Sequence, residues 1–175
     1  VFRNSINLTQ LMAGITLGYD SEFIKSSFTL EGFYSPGEWL PEQSNSDYQK
    51  VRYMAKSNYF YARMAFAPII RLPEDFSFAL TLRGQLASHN LLASEQYGLG
   101  GYSTVRGYNE RVFNVDNAFL ASTELRSPSL KMLNRKYYSD LIQFLVFLDY
   151  ALGRDVHPIP GNPVTRYLLG VGPGI

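Results

Sequence analysis

One arginine stands out in the sequence because of its glycine-rich surroundings. Residues 98–110, here called the VRGY loop, read GLGGYSTVRGYNE and place Arg106 between Val105 and Gly107. Such a stretch suggests a phosphate-binding loop, an ordinary hairpin tip, or a loop that positions a single guanidinium. A P-loop needs a Lys-Ser/Thr pair after its glycines, and a dinucleotide fingerprint needs a following helix. The chain has neither feature here, so we expect no nucleotide and no cofactor.

The other residues of types that support chemistry are isolated from one another. His89 and His157 lie in expected loops without a partner at ligand spacing, and Asp155 lacks a nucleophile or a third ligand nearby. Cysteine is absent, which excludes disulfides and thiolate ligands. A net charge of +1 gives no field that attracts nucleic acid. We therefore expect no metal site, no nucleic-acid partner and no enzyme activity.

The elements that would position Arg106 alternate between apolar and polar residues, which is typical of β-strands. The pattern predicts seven strands, at about residues 11–19, 24–34, 59–66, 76–86, 119–126, 142–150 and 165–172. Charged residues within these segments all fall on the less apolar face of their strand; they are Lys25, Glu31, Arg63, Arg83, Glu124, Arg126 and Asp149. The predicted fold is all-β and antiparallel.

Two classes of β protein share this alternation. A soluble β-sandwich also has one apolar and one polar face. Segment lengths near the ~9–11 residues of a membrane-spanning strand favour the membrane class instead. Aromatic residues gather near segment ends, as in interfacial girdles; they are Tyr19, Phe23, Tyr34, Trp39, Tyr59, Phe60 and Phe76. Short connections at 20–23 and 72–75 also alternate with long ones at 35–58 and 88–116, as in an outer-membrane barrel.

Seven strands are fewer than a closed single-chain barrel needs. The sequence also stops at GVGPGI, inside an expected strand. We therefore expect residues 1–175 to be a fragment of a transmembrane β-barrel domain. The connection at 127–140, SPSLKMLNRKYYSD, is long for a periplasmic turn and is expected to form either an extended basic hairpin or a small helical excursion.

Two motifs, in this order, resemble the outer-membrane Omp85 superfamily, and most closely its two-partner-secretion transporters, the hemolysin activation/secretion proteins. The first runs from the VRGY loop into a strand that ends in E-L-R. The second, F-L-D-Y-A, is similar to an F-x-D-x-G strand signature, with Ala151 where glycine is usual. The residues that carry the resemblance are Gly100, Gly101, Val105, Arg106, Gly107, Tyr108, Glu124, Arg126, Phe147 and Asp149.

The resemblance implies a barrel of sixteen strands in the cell outer membrane, preceded by POTRA domains. This chain would hold about seven consecutive strands from the second half of this C-terminal barrel domain, and it would lack the POTRA domains, the early strands and the closing strands. The implied partners are lipid and an unfolded secreted exoprotein, whose folding outside the cell drives export without nucleotide. Two alternatives are an outer-membrane protein assembly factor of the same superfamily, or an organellar import channel. A third is a passive pore.

The residues themselves predict an internal latch between Arg106 and Asp149. A long loop can carry Arg106 into the lumen, and Asp149 lies on the predicted lumenal face together with Phe147, whose ring would pack against the loop tip. The resemblance likewise implies docking of this arginine on this aspartate. Plainer interpretations remain: a solvated loop charge at Arg106, and an Asp149 that lines a wet pore or pairs with Arg83 or Arg126. Glu124 and Arg126 are expected to provide general lumenal polarity rather than a specific site.

Overall fold

The protein is built almost entirely from antiparallel strands. The structure, a computed structural model, describes residues 6–135 and 138–175, the side chains of 131–135 and 138–140 excepted. Its strands are β1 (Leu11–Asp20), β2 (Ile24–Pro36), β3 (Asn58–Arg71), β4 (Ser77–Ala87), β5 (Tyr97–Leu99), β6 (Phe113–Val115), β7 (Asn117–Arg126), β8 (Leu130–Arg135), β9 (Tyr138–Ile142), β10 (Leu145–Arg154) and β11 (Thr165–Gly174). Within the described residues, one seven-stranded sheet has the order β1-β2-β3-β4-β7-β10-β11. The all-β prediction is confirmed, and all seven predicted strands lie in this sheet.

The two faces of the sheet differ in polarity. Successive residues of a strand point to opposite faces, so paired residues form rows on one face. One row is wholly apolar or aromatic: Leu17, Phe28, Phe66, Leu82, Ala121, Tyr150 and Leu169. A row on the opposite face consists of Thr81, Ser122, Asp149 and Gly170. We call the face that carries Asp149 the inner face and the other the outer face.

Connections of different length lie at the two ends of the sheet. A tight turn closes β1 and β2, with the Ser21 N–H donating to Ile24 O at 2.9 Å. A 3-10 turn, Pro73–Asp75, joins β3 to β4. The connections β2–β3 and β4–β7 are long, and the second carries the VRGY loop together with the β5–β6 hairpin. The predicted alternation of short and long connections is therefore present.

A short helix, α1 (Asn45–Val51), occupies the β2–β3 connection. It begins with a capping box, because Ser44 Oγ accepts from the Asp47 N–H and Asp47 Oδ2 accepts from the Ser44 N–H, both at 3.2 Å. Hydrogen bonding to Lys50, and then to Ser44, lowers the pKa of Asp47 to about 2. The sequence did not predict this helix, since only Tyr48 of its residues is buried and no apolar period marks it.

The connection after β7 forms a hairpin of β8 and β9. Of the two expected forms, the extended hairpin is therefore the one present. The prediction of one continuous strand over 142–150 is wrong at its start, because Ile142 ends β9 and β10 begins at Leu145. Ser127 marks the break: its Oγ accepts from the Phe144 N–H at 3.0 Å, and its carbonyl oxygen accepts from Gln143 Nε2 at 2.8 Å.

Buried apolar residues form two clusters on the inner side rather than one central core. The first lies under the β2–β3 connection and contains Tyr48, Ala55, Tyr59, Tyr61, Leu91 and Leu92. The second lies under the β5–β6 hairpin and contains Leu99, Val105, Val115, Ala118, Leu120, Ala151 and Leu168. Both clusters fasten a long connection onto the sheet. Among the described residues, no helix has the length and apolar character needed to cross a membrane.

Candidate functional site

The VRGY loop folds back over the inner face of the sheet. Gly100 and Gly101 have φ values of +100° and +104°, a backbone region that favours glycine. A tight turn follows, in which the Gly101 N–H donates to Val105 O at 3.2 Å. Val105 is fully buried in the cluster that also holds Leu120, on β7. Glycine flexibility and the burial of Val105 therefore bring the next residue, Arg106, onto the sheet.

Arg106 makes a bidentate contact with Asp149 on β10. Arg106 Nε lies 2.8 Å from Asp149 Oδ2, and Arg106 Nη2 lies 2.8 Å from Asp149 Oδ1. The Arg106 backbone N–H also donates to Oδ2 at 3.0 Å. The Asp149 side chain is 1% exposed. Parallel charge-assisted bonds of this kind are directional as well as strong, so the carboxylate fixes both the side chain and the backbone of the loop tip.

Two further inner-face residues complete the surroundings of the guanidinium. Ser122 Oγ accepts from Arg106 at 3.2 Å and donates to Asp149 Oδ1 at 2.5 Å. Glu124 Oε1 accepts from Arg106 at 2.6 Å, while its Oε2 accepts from Arg126 at 2.6 Å. Hydrogen bonding to Asp149 raises the pKa of Arg106 above its ordinary value. The arginine thus bridges two carboxylates and stays charged.

An aromatic ring covers the guanidinium from one side. Arg106 Cζ lies 3.7 Å from the centroid of Phe147, which is two residues before Asp149 on the same face. This is cation–π geometry. Gly172, on β11, is paired with Phe147 on β10. A Cβ on residue 172 would stand 3.1 Å from the Phe147 ring. The absence of a side chain at Gly172 leaves room for the ring.

The remaining motif residues have separate positions. Gly107 is exposed, has a φ of +91°, and has open space where a Cβ would stand. Tyr108 is half-exposed, and its hydroxyl donates to Leu169 O at 3.2 Å. Ala151 is fully buried beneath the β5–β6 hairpin. The structure thus brings Arg106, Phe147, Asp149, Glu124 and Arg126 together, while Gly107 and Tyr108 lie at the margin.

A second ion-pair network, which the sequence did not predict, holds the base of the hairpin. Arg52 follows α1 and lies 2.9 Å from Asp116, the residue between β6 and β7, and 3.0 Å from Asp155. Asp116 is fully buried and also accepts from the backbone N–H groups of Leu91 and Val156 at 3.0 and 3.1 Å. This network, here called the Arg52 clasp, joins three separate connections.

The partners of the charged residues can be compared with the plainer interpretations of the sequence, in which Asp149 pairs with Arg83 or Arg126 and Glu124 provides only general polarity. Asp149 binds Arg106 rather than Arg83 or Arg126; Arg83 donates to Ser103 O at 3.0 Å. Glu124 has specific partners in Arg106 and Arg126. The backbone N–H of His157 donates to Asn90 Oδ1 at 2.7 Å. In residues 6–135 and 138–175, no group of three or more potential metal ligands occurs.

The site is thus an inward-folded loop whose arginine is held by an inner-face carboxylate, on one broad antiparallel sheet. The family model of the haemolysin secretion/activation protein ShlB/FhaC/HecB matches residues 4–172, and the chain belongs to that family. The resemblance inferred from the motifs is confirmed.

Two curated relatives are both heme/hemopexin transporter proteins named HuxB, from Haemophilus influenzae. One is 29% identical over 113 residues, which cover 65% of this chain and 18% of that protein. The other is 32% identical over 83 residues, which cover 47% of this chain and 14% of that protein. The matched part of the chain therefore spans less than a fifth of these relatives' length. No solved structure matches the chain.

Proposed function

We propose that this chain is a section of the β-barrel of a two-partner-secretion transporter in the outer membrane of a Gram-negative-type cell. The transporter exports a large unfolded partner protein through its lumen. The observation that carries this proposal is the bidentate Arg106–Asp149 contact on the polar inner face, in a chain of the haemolysin secretion/activation family. We assign this contact the role of an internal latch.

The outer face supports a position in lipid. The apolar row from Leu17 to Leu169 crosses the whole sheet, and these two residues are 54% and 56% exposed. Such a surface is costly in water and favourable against hydrocarbon. Strands of 10 residues, such as β7 and β10, match the ~9–11 residues that cross a bilayer.

The edges of the sheet support a larger barrel. Within the described part of the chain, β1 and β11 are each paired on one side only. In hydrocarbon, every unpaired backbone group at such an edge would cost several kcal/mol, so membrane sheets close on themselves. We propose that the seven strands belong to the sixteen-stranded barrel that the family resemblance implies, behind POTRA domains on the periplasmic side.

The inner-face chemistry supports transport without catalysis. The polar groups of the site hold the loop: Asp149 and Glu124 accept from Arg106, and Ser122 links Arg106 to Asp149. No nucleotide-binding motif is present in the sequence. We propose that folding of the exported protein outside the cell provides the driving force, and that the chain itself is not an enzyme.

The latch would hold the loop in the conformation that secretion needs. Removing one partner of a buried ion pair typically costs about 3–5 kcal/mol, because the other charge stays buried alone. A change of ~1.4 kcal/mol already shifts a conformational ratio tenfold. Loss of Arg106 should therefore release the loop tip from β10 without changing the pairing of the strands.

The test is an Arg106→Ala substitution in the full-length transporter, with secreted partner measured at matched surface levels. We expect secretion to fall by about tenfold or more, while barrel abundance stays close to wild type. Arg154→Ala is the matched control, because Arg154 is an exposed arginine at the end of β10. Secretion at the wild-type level by Arg106→Ala would refute the latch.

The same variants separate the competing functions. A barrel-assembly factor would lose other outer-membrane proteins when Arg106 is replaced, whereas a secretion transporter would lose only its partner's export. A passive pore would keep steady conductance in Arg106→Ala and Asp149→Asn alike. Measuring outer-membrane protein levels and single-channel conductance beside secretion therefore assigns the class.

A further inference from the structure

A cavity of about 370 Å³ lies between the inner face and the VRGY loop. Three arginines line it: Arg63 on β3, Arg83 on β4 and Arg111 directly after the loop. The latch does not use any of the three. Their convergence from two strands and one loop therefore needs a separate explanation.

These arginines differ in their partners from three other arginines of the inner side. Arg52, Arg106 and Arg126 each lie within 3.0 Å of a carboxylate oxygen. In the part of the chain that the structure describes, no ion pair with a carboxylate is formed by the three that line the cavity. They instead donate to neutral oxygens, those of Gln85, Glu95 (backbone), Ser103 and Gln96.

The guanidinium groups are held in position before any ligand arrives. Arg63 lies against the rings of Phe33 and Tyr61, at 5.4 and 5.1 Å from their centroids. Arg111 lies across Gly98, where a Cβ would be 2.8 Å from Arg111 Cγ. Because aromatic and backbone contacts fix these side chains, binding an anion would order few new rotamers, which favours affinity.

The local charge balance is positive. Among the carboxylates of the described residues, only Glu110 lines the cavity with the three arginines, and its Oε1 accepts from the Tyr102 N–H at 2.9 Å. The carboxylate of Glu95 is turned instead to the Tyr61 hydroxyl, at 2.7 Å. Glu31 lines an adjoining cavity of about 150 Å³ with Arg63 and Arg83. Three positive charges thus face one negative charge in the larger space.

We propose that this cavity binds carboxylate side chains of an acidic segment in the unfolded polypeptide that the barrel exports. Guanidinium forks match carboxylates in geometry, and the hydroxyls of Ser103 and Thr104 add hydrogen-bonding groups. Thr104 Oγ1 is buried without a hydrogen-bond partner among the described residues. The site holds acidic segments weakly and in passing beside the loop. This inference rests on the proposed function, because it requires polypeptide to pass the inner face.

The experiment measures binding of a fluorescent hexa-aspartate peptide to the purified full-length protein in lipid nanodiscs. We expect Arg83→Gln to weaken binding by roughly tenfold, since one charge-assisted pair is lost. Hexa-lysine of the same length should not bind. Arg71→Gln is the matched control, because Arg71 is an exposed arginine at the turn end of β3 that donates to Glu22 O at 2.8 Å. Higher ionic strength should weaken the peptide's binding.

Three results would overturn the assignment. They are equal peptide affinity in Arg83→Gln and wild type, equal binding of hexa-lysine, and competition by inorganic phosphate at the same concentration as the peptide, which would indicate a small-anion site. The binding assay does not depend on secretion. If peptide binding depends on Arg83 while Arg106→Ala secretes normally, the latch fails and the site stands; the reverse pattern removes only the site.

Discussion

The carbonyl oxygen of Arg106 lies so close to Gly170 that a Cβ on residue 170 would stand 2.5 Å from it. Gly170 is the direct β11 neighbour of Asp149 on β10. The loop tip therefore rests its backbone on one strand while its guanidinium binds the next. Steric fit at a glycine and charge pairing at a carboxylate act on the same residue, and each can be changed separately.

Gly170→Ala should weaken the latch without altering either of its charges. The added methyl group would force the loop backbone outward, and overpacking of this kind typically costs about 1–3 kcal/mol. We expect reduced secretion at matched surface levels and faster hydrogen exchange in residues 104–108. Gly18→Ala is the control, because a Cβ at Gly18 meets nothing within 4 Å. Identical behaviour of the two variants would show that the close approach does not matter.

The two carboxylates around Arg106 should differ in importance. Asp149 accepts from the Arg106 backbone N–H and from two guanidinium nitrogens. Glu124 accepts from one guanidinium nitrogen and shares its other oxygen with Arg126. We expect Asp149→Asn to lower secretion more than Glu124→Gln, because Arg106 keeps its bidentate partner in the second variant. A larger effect of Glu124→Gln would place the main anchor on β7 instead.

The face of the Phe147 ring should stabilise the latch through its cation–π contact with the Arg106 guanidinium. Replacing it with leucine keeps an apolar side chain but removes the cation–π contact with Arg106, which is worth about 0.5–2 kcal/mol. We expect Phe147→Leu to reduce secretion by less than Arg106→Ala does. Phe119→Leu, on the outer face of the same sheet, is the control. The contact is dispensable if both leucine variants secrete equally.

The sequence predicted those features that depend on the pattern of residues within a short segment. The period-two pattern placed Asp149 and Phe147 on one face, and the VRGY loop identified Arg106, because glycine spacing and face alternation are properties of short segments. The close approach of the Arg106 carbonyl oxygen to Gly170 could not be predicted from any short segment of the sequence. It depends on a contact between residues far apart in the chain, and a glycine inside a strand is equally consistent with a bulge.

The Arg52 clasp is a second feature that no local sequence pattern predicts. Arg52 lies in a connection with no strand pattern, and Asp116 is 64 residues away. Nothing in either neighbourhood indicates a partner for the other. The structure nonetheless gives Asp116 two backbone donors and a guanidinium in a fully buried position. The clasp provides a second test of how the β5–β6 hairpin is held, from the end of the hairpin opposite to the latch.

Arg52→Gln should leave Asp116 buried without its counter-charge, and the effect should depend on pH. Burial raises the pKa of Asp116 in the folded protein, and loss of Arg52 raises this pKa further. The folded variant then binds a proton that the unfolded chain releases at its ordinary Asp pKa of about 3.9. The pH-dependent part of its stability deficit relative to wild type is therefore absent at low pH. It grows as pH rises from the folded pKa of Asp116 in the wild type to the higher folded pKa in the variant.

Thermal unfolding of the full-length variants at a series of pH values measures this dependence. The double variant Arg52→Gln with Asp116→Asn is the control, because it removes the titrating carboxyl group at residue 116, so its stability should show no pH dependence from that position. At neutral pH we expect the single variant to be the less stable of the two, since an unpaired buried charge costs more than a neutral amide in the same place. A pH-independent deficit in the single variant would mean that water reaches Asp116 once Arg52 is gone. The three connections would then be joined by packing of Leu91 and its neighbours rather than by the ion pair.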